Sequence, residues 1–219
     1  MEGRLGAEVV YLFNSGFTVK LGMRMLIFDY YNFKPFQSHR GLDGGIVTTE
    51  ELRGFDVTVF ASHAHMDHFI PAVLKWGREV PELRYVLSYD ISAGGTPNVT
   101  KAFPNAVYDA GGIRVRTLKS TDEGVAFIAE VDGLKIYHAG DLNWWHWEGE
   151  PDAQNQWQEE NFKREITRLK GRHLDCAFLP LDPRLGDSAW WGFLEVLKTC
   201  RIDAVFPMHY FHDRAGMLS

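Results

Sequence analysis

The stretch that most constrains this chain is Ala61 to Phe69, ASHAHMDHF, where three histidines and an aspartate occupy positions 63, 65, 67 and 68. Imidazole and carboxylate groups are costly to bury and are weak helix formers. Yet these four directly follow the apolar run Val57 to Ala61, which reads as a buried strand. Side chains two apart on an extended segment share a face, so His63 and His65 can reach one point. Asp67 and His68, at the start of the helically spaced DHFIPAVLKWG, lie across the turn and can reach a second. Four ligand-type side chains at the carboxyl end of a buried strand need a compensating interaction, and a metal ion supplies it. Two ions about 3.5–4 Å apart would use both sets.

The rest of the chain is consistent with one globular domain over residues 1–219. No internal repeat or linker divides it, and 45% hydrophobic content is enough for a sizeable core. Short alternating strands open it: EVVYLF, the turn Asn14-Ser15-Gly16, FTVKLG and MLIFDYY. Residues 32–49 have no clear period and read as a long loop facing substrate. RYVLSYD, AVYDA and IRVRTLKS read as strands, and GVAFIAEVDGLKIYH as a hairpin turning at Asp132-Gly133. A helix over 155–170, the strand DCAFLPL, a helix from SAWWGFLEVLKTC and a last strand DAVFPMHY follow. Hairpins early and βα alternation late make a mixed α/β pattern.

Charge and cysteine usage exclude several classes. With 23 Lys plus Arg against 29 Asp plus Glu, the net charge is -6, which leaves no footprint for nucleic acid or an anionic membrane. The basic stretch KREITRLKGRH at 163–173 reads as a solvated helix face. No apolar run reaches membrane-spanning length, and the N-terminal residues do not read as a secretory signal. Cys176 and Cys200 read as reduced core residues, which points to the cytoplasm.

HAHMDH matches the His-x-His-x-Asp-His signature of the metallo-β-lactamase-fold hydrolases, and YHAGDLN and FPMHYF resemble that superfamily's later motifs in the same order. The Pro-Met-His-Tyr ending is most similar to the lactonase-like and phosphodiesterase-like branches. The resemblance implies a four-layer αββα sandwich of two mixed β-sheets flanked by helices. It also implies two divalent ions, zinc as the first expectation with Mn²⁺ or Fe²⁺ as alternatives. His63 and His65 match ligands of the first ion, Asp67 and His68 ligands of the second. Asp141 matches the bridging carboxylate, with Gly140 before it allowing unusual torsions, and His209 matches the last ligand. The implied activity is hydrolysis of an ester, lactone, amide or phosphodiester in a small-molecule substrate by a metal-bound hydroxide, with Asp67 orienting or deprotonating the water. Homo-oligomerisation is left open.

One position departs from the family. The usual further histidine of the first site has no counterpart between His68 and His138, and the corresponding stretch is LKSTDEGVAF. Of Ser120, Thr121 and Asp122 only Asp122 offers an anionic ligand. His146 from the next loop, or a weak first site, are the other readings. The departure keeps two alternatives alive: a non-catalytic relative that binds metal or a partner, and a di-iron redox protein on the same fold. His212 is a candidate proton donor to a leaving group, and His138 a core or supporting residue. His39 and His173 are expected at the surface without ligand-type neighbours. Trp144, Trp145 and Trp147 are core packing or a pocket wall, and Trp190-Trp191 core.

Overall fold

The structure, a computed structural model, describes residues 6–32, 34 and 41–211. The chain divides after Lys101 into two compact units. The first is built on one six-stranded sheet in sequential order: β1 (Ala7–Phe13), β2 (Gly16–Leu21), β3 (Arg24–Phe28), β4 (Asp56–Ala61), β5 (Arg84–Ser88) and β6 (Val99–Ala102). β1, β2 and β3 form an antiparallel meander, and β3, β4 and β5 run parallel. The expected turn at Asn14 closes the first hairpin, with Asn14 at φ 48°, a left-handed conformation that asparagine tolerates better than most residues.

The second unit carries the sheet β7 (Val107–Asp109), β8 (Arg114–Lys119), β9 (Val125–Val131), β10 (Leu134–His138), β11 (His173–Pro180) and β12 (Arg201–Met208), again in order. β7 to β10 are antiparallel, while β10, β11 and β12 are parallel. The β9–β10 hairpin turns at Asp132 and Gly133 as expected, both at positive φ (49° and 82°), the backbone a two-residue turn needs. Both sheets are thus mixed, a hairpin series followed by parallel strands whose crossovers carry the helices.

The helices are α1 (Thr49–Leu52), α2 (Asp152–Ile166) and α3 (Ala189–Thr199). Within the loop expected over 32–49, the described residues 41–49 carry local structure. Gly41–Gly44 makes a 3-10 turn, and Thr48 caps α1 in a reciprocal box with Glu51. Glu51 also accepts from the Leu42 backbone, at 2.9 Å. Residues 35–40, with His39, lie outside the described residues. The helix expected from Asp67 does not form. Pro71 holds Ile70 extended (φ -119°, ψ 126°), so only a 3-10 helix, Pro71–Arg78, follows.

Trp190 and Trp191 correct a second expectation, being 42% and 40% exposed. α3 buries Ala189, Gly192 and Val196, a three-to-four-residue stripe, and positions 190 and 191 fall on its outer face. Cys176 and Cys200 are buried and free, and burial pushes the Cys176 thiol up to about 12. No described helix is long and apolar enough to cross a membrane.

The 3-10 helix is fastened to the first sheet by Tyr85, whose hydroxyl donates to Val73 O (2.9 Å) and accepts from Gly77 N (3.0 Å) in a fully buried position. Tyr85→Phe keeps the ring but strands both backbone groups. It should destabilise the fold by ~1–3 kcal/mol, readable as a lower urea midpoint at unchanged slope. A midpoint equal to the parent's would show that the tether contributes nothing.

Candidate metal centre

In the first unit the ligand-type side chains follow the carboxyl ends of the parallel strands β3 and β4. β4 ends at Ala61 and runs through Ser62 into His63, both 0% exposed. β3 ends at Phe28, and Asp29 follows it, fully buried and at φ 44°. A positive φ at a non-glycine residue is strained, and here the neighbouring bonds hold it. Asp29 donates its backbone N–H to Phe60 O, and its carboxylate accepts three times: from Ser62 N at 2.7 Å, Ser62 Oγ at 2.6 Å and His68 Nδ1 at 2.7 Å. Sequence reasoning missed Asp29, although IFDYY places a lone carboxylate directly after an apolar strand.

These bonds determine the tautomers. Ser62 Oγ has one hydrogen and gives it to Asp29, so at 2.9 Å it accepts from Nδ1–H of His63. His68 likewise donates from Nδ1 to Asp29. In both rings Nε2 is left as the lone-pair nitrogen, the state in which imidazole binds metal. The rings cluster, with the centroid of His63 4.5 Å from His65 and 4.2 Å from His68. His65 itself is exposed, and its carbonyl accepts from the backbone N–H of His68 and Phe69. Nε2 of His68 stands 3.5 Å from Oδ2 of Asp67, which Asn14 also approaches, at 3.4 Å.

In the second unit the same arrangement recurs after β10, β11 and β12. Beyond β10 come Gly140 at φ 52°, as its expected torsional role requires, and Asp141, 4% exposed. Beyond β12 comes His209, at φ 65° and 3% exposed. Beyond β11 comes Asp182, 0% exposed, which takes Nδ1 of His209 at 3.0 Å. Burial pushes the Asp182 carboxyl up, but the hydrogen bonds from His209 and Arg184 outweigh it and hold the group below its ordinary range. Asp182 was also missed, and LPLDP carries the same signal as IFDYY. Nε2 of His209 stands 3.6 Å from Oδ1 of Asp141.

At the position that departs from the resembled signature, the loop 120–122 is tied to its neighbour. Ser120 and Thr121 are buried and occupied. Ser120 Oγ accepts from Asp122 N at 3.1 Å, while Thr121 Oγ1 donates to Asn143 O (2.6 Å) and accepts from Asn143 N (3.1 Å). This stitching draws the 120–122 loop to the 141–143 loop and leaves the Asp122 side chain exposed, with a carboxylate oxygen within 4.8 Å of one from Asp141. The His146 ring lies against Trp191, centroids 4.7 Å apart. His212 lies outside the described residues.

The tryptophan cluster packs against Asp141 and His209. Trp145, 5% exposed, donates from Nε1 to Asp141 O at 2.9 Å, and its ring meets His209 edge-on at 5.4 Å. Trp147 stacks on Trp145 at 6.0 Å, and Leu181, Leu185 and Ala189 complete the packing. Gly192 of α3 lets the loop approach, since a Cβ there would collide with the Asn143 side chain and press on Trp144 N. His138 is fully buried, its Nδ1 accepting from Gly140 N at 3.2 Å, which fits a core or supporting role. His173 corrects an expectation: parallel pairing of β11 and β12 brings it to Asp203, 2.9 Å away, with Asp175 close by. It is a partly exposed contact of small energetic weight.

No family model matches the chain. Solved structures do. Igni18, a metallo hydrolase from the hyperthermophilic archaeon Ignicoccus hospitalis, is similar at 20% identity over 93% of this chain and 82% of that one, with a TM-score of 0.64. CmlA, a diiron β-hydroxylase from Streptomyces venezuelae, is similar at 12% identity over 94% of this chain but 45% of its own, TM-score 0.59. A proposed Zn-dependent hydrolase of the metallo-β-lactamase superfamily from Thermotoga maritima is similar at 15% identity over 95% of this chain and 78% of that one, TM-score 0.50. Identities this low speak to the fold alone. The two six-stranded mixed sheets with their helices have the metallo-β-lactamase fold, the α/β sandwich that the signature implied.

Replacing Asp29 by Asn turns one of its two acceptor oxygens into an amide donor, so the three bonds from Ser62 and His68 cannot all be kept. Asp29→Asn is expected to cost ~1–3 kcal/mol of stability and to abolish the Nδ1–H tautomer of His68 in ¹⁵N NMR spectra. A variant that keeps both the stability and the tautomer would mean that Asp29 does not orient the ring.

Proposed function

We propose that the chain is a metal-dependent hydrolase acting on an ester, lactone, amide or phosphodiester in a small molecule, with residues 1–219 serving as one hydrolase domain. The observation that carries this reading is the facing of acceptor against acceptor. Nε2 of His68 faces the Asp67 carboxylate at 3.5 Å, and Nε2 of His209 faces the Asp141 carboxylate at 3.6 Å. Their Nδ1 hydrogens are already given to Asp29 and Asp182. A ring nitrogen and an anionic oxygen at this distance are held by a shared cation, a proton on the ring or a metal ion between them. Ligand bonds of roughly 2.0–2.2 Å at a tetrahedral angle separate two donors by about 3.4 Å. The donor set therefore fits a divalent ion.

The ligands in this reading are His63, His65, Asp122 and Asp141 for one ion and Asp67, His68, Asp141 and His209 for the other. Bound there, the ions would supply a nucleophile at neutral pH and polarise the electrophilic carbon or phosphorus. The chain's own residues do the rest. Asp29 and Asp182 hold Nδ1 of His68 and His209 and so aim the rings, and Trp145 fixes the Asp141 backbone and packs on the His209 ring. Asp67, whose side chain is 27% exposed, is assigned the role of orienting the attacking water and taking its proton. His212 is assigned the proton for the leaving group.

Asp122 in place of an imidazole shifts the first site toward harder ions such as Mn²⁺ or Fe²⁺. That oxygen-rich donor set is also what favours the second reading, di-iron redox chemistry. The buried free thiols favour a reducing compartment, and the cytoplasm is proposed.

Metal analysis together with turnover on a phosphodiester and lactone panel tests the proposal. The purified protein should carry one to two equivalents of transition metal, and His65→Ala and Asp141→Ala should each abolish hydrolysis while the circular dichroism spectrum is unchanged. Asp122→Ala should lower bound metal toward one equivalent, with affinity for that ion weakened at least ~10 to 100-fold. Asp122→His should tighten zinc relative to manganese. Absence of metal in the protein and on titration would overturn the reading. Metal depletion in His146→Ala but not in Asp122→Ala would reassign the ligand.

A further inference from the structure

We propose that the second unit holds an anion site, distinct from the proposed ligands, that takes a phosphate group. Three arginines line one hollow of about 120 Å³: Arg116 of β8, Arg168 in the 3-10 turn Thr167–Leu169 after α2, and Arg172. Asn105 and the buried Thr117 complete its polar wall. The volume is about four times the ~30 Å³ share of one liquid water, the scale of a tetrahedral oxyanion. In a chain of net charge -6, three guanidinium groups around so small a space need a cause.

The carboxylates within reach do not supply all of it. Arg116 Nε pairs with Glu130 at 3.2 Å, and Arg168 Nε with the buried Glu165 at 3.1 Å. Arg172 Nε donates at 2.8 Å to a neutral carbonyl, that of Arg168. Two of the three positive charges are thus matched by an ion pair, and the third is matched by a dipole. Each of these bonds uses Nε–H, one of the five N–H donors of a guanidinium. The paired Nη groups, the part of arginine that grips phosphate oxygens two at a time, remain available to the hollow.

A helix-end explanation covers only part of the arrangement. Arg168 and Arg172 follow the C-terminus of α2, where cations are favoured by the helix dipole. That accounts for neither Arg116, which comes from a strand of the sheet, nor the half-open hollow shared by all three. The basic stretch at 163–173 is largely solvated, as read from sequence, and its last two arginines also line the hollow. A phosphate, free or carried as a small phosphomonoester, is the ligand of matching charge and geometry. Its binding would be independent of the hydrolytic site.

Calorimetric titration of the metal-loaded protein with inorganic phosphate and, separately, with AMP provides the test, with chloride at matched ionic strength as control. Phosphate should bind saturably, and Arg168→Gln/Arg172→Gln should weaken it about tenfold or more, the loss expected for charge-assisted bonds. Arg172→Gln alone, which breaks no ion pair, should give a measurable part of that loss if the double variant folds poorly. The arginine-dependent binding should survive in His65→Ala, which separates it from phosphate held by metal. Comparable or tighter AMP binding would identify a phosphomonoester ligand, and binding of phosphate alone a free anion. A response no larger than that to chloride, or phosphate affinity unchanged in the arginine variants, would overturn the site.

Discussion

The hydrogen bonds from buried carboxylates to histidine Nδ1 atoms are the interaction on which the rest of the candidate centre depends. Asp29 is fully buried, which would be prohibitive for an isolated charge. Three short bonds from Ser62 and His68 make it tolerable, and such charge-assisted bonds are the strong ones. In return the carboxylate determines which nitrogen of His68 bears hydrogen and, through the Ser62 hydroxyl, does the same for His63. Asp182 repeats the device for His209 in the second unit. Without these anchors the imidazoles could rotate or change tautomer, and a metal-ligating constellation would have to be organised at each binding event.

The sheet topology explains why the device occurs twice. Each unit begins as an antiparallel series and ends in parallel strands, and ligand-type residues and their anchors follow the carboxyl ends of those parallel strands. Asp29 and His63 come after β3 and β4, and Asp141, Asp182 and His209 after β10, β11 and β12. Parallel neighbours deliver their carboxyl ends to the same edge, which is where α/β sheets characteristically place their ligands. The strain at Asp29 and His209, both at positive φ, sits at this edge, where the chain must leave the sheet and re-aim a side chain.

Much of the candidate centre was legible in the residues. His63, His65, Asp67 and His68 announce themselves by density and by the apolar run before them. Asp122 stands out in the sequence because Ser120 and Thr121 are neutral, and its role as a ligand stays a proposal, while the Ser120 and Thr121 hydroxyls bond the backbone. Asp29 and Asp182 were not legible, because a lone aspartate after a strand looks like an ordinary turn former until its histidine partner, 39 or 27 residues away, is placed beside it. Trp145 was ambiguous for the same reason. Local pattern also misled at two points: Pro71 overrode the helical spacing after Asp67, and the apolar pair Trp190-Trp191 landed outside because smaller residues form the inner stripe of α3.

By itself the sequence determined the mixed strand and helix order, the hairpin at Asp132-Gly133 and the ligand types at each strand end, because these depend on side-chain period, turn chemistry and charge within a few residues. Tertiary structure alone decided which carboxylate orients which imidazole, that a tryptophan holds Asp141 by its backbone, and that three arginines from separated segments share one hollow. Hydrogen bonds and pairings of this kind join residues distant along the chain, and nothing in the local pattern specifies the partner. Only the register and direction of the strands bring the two ends together.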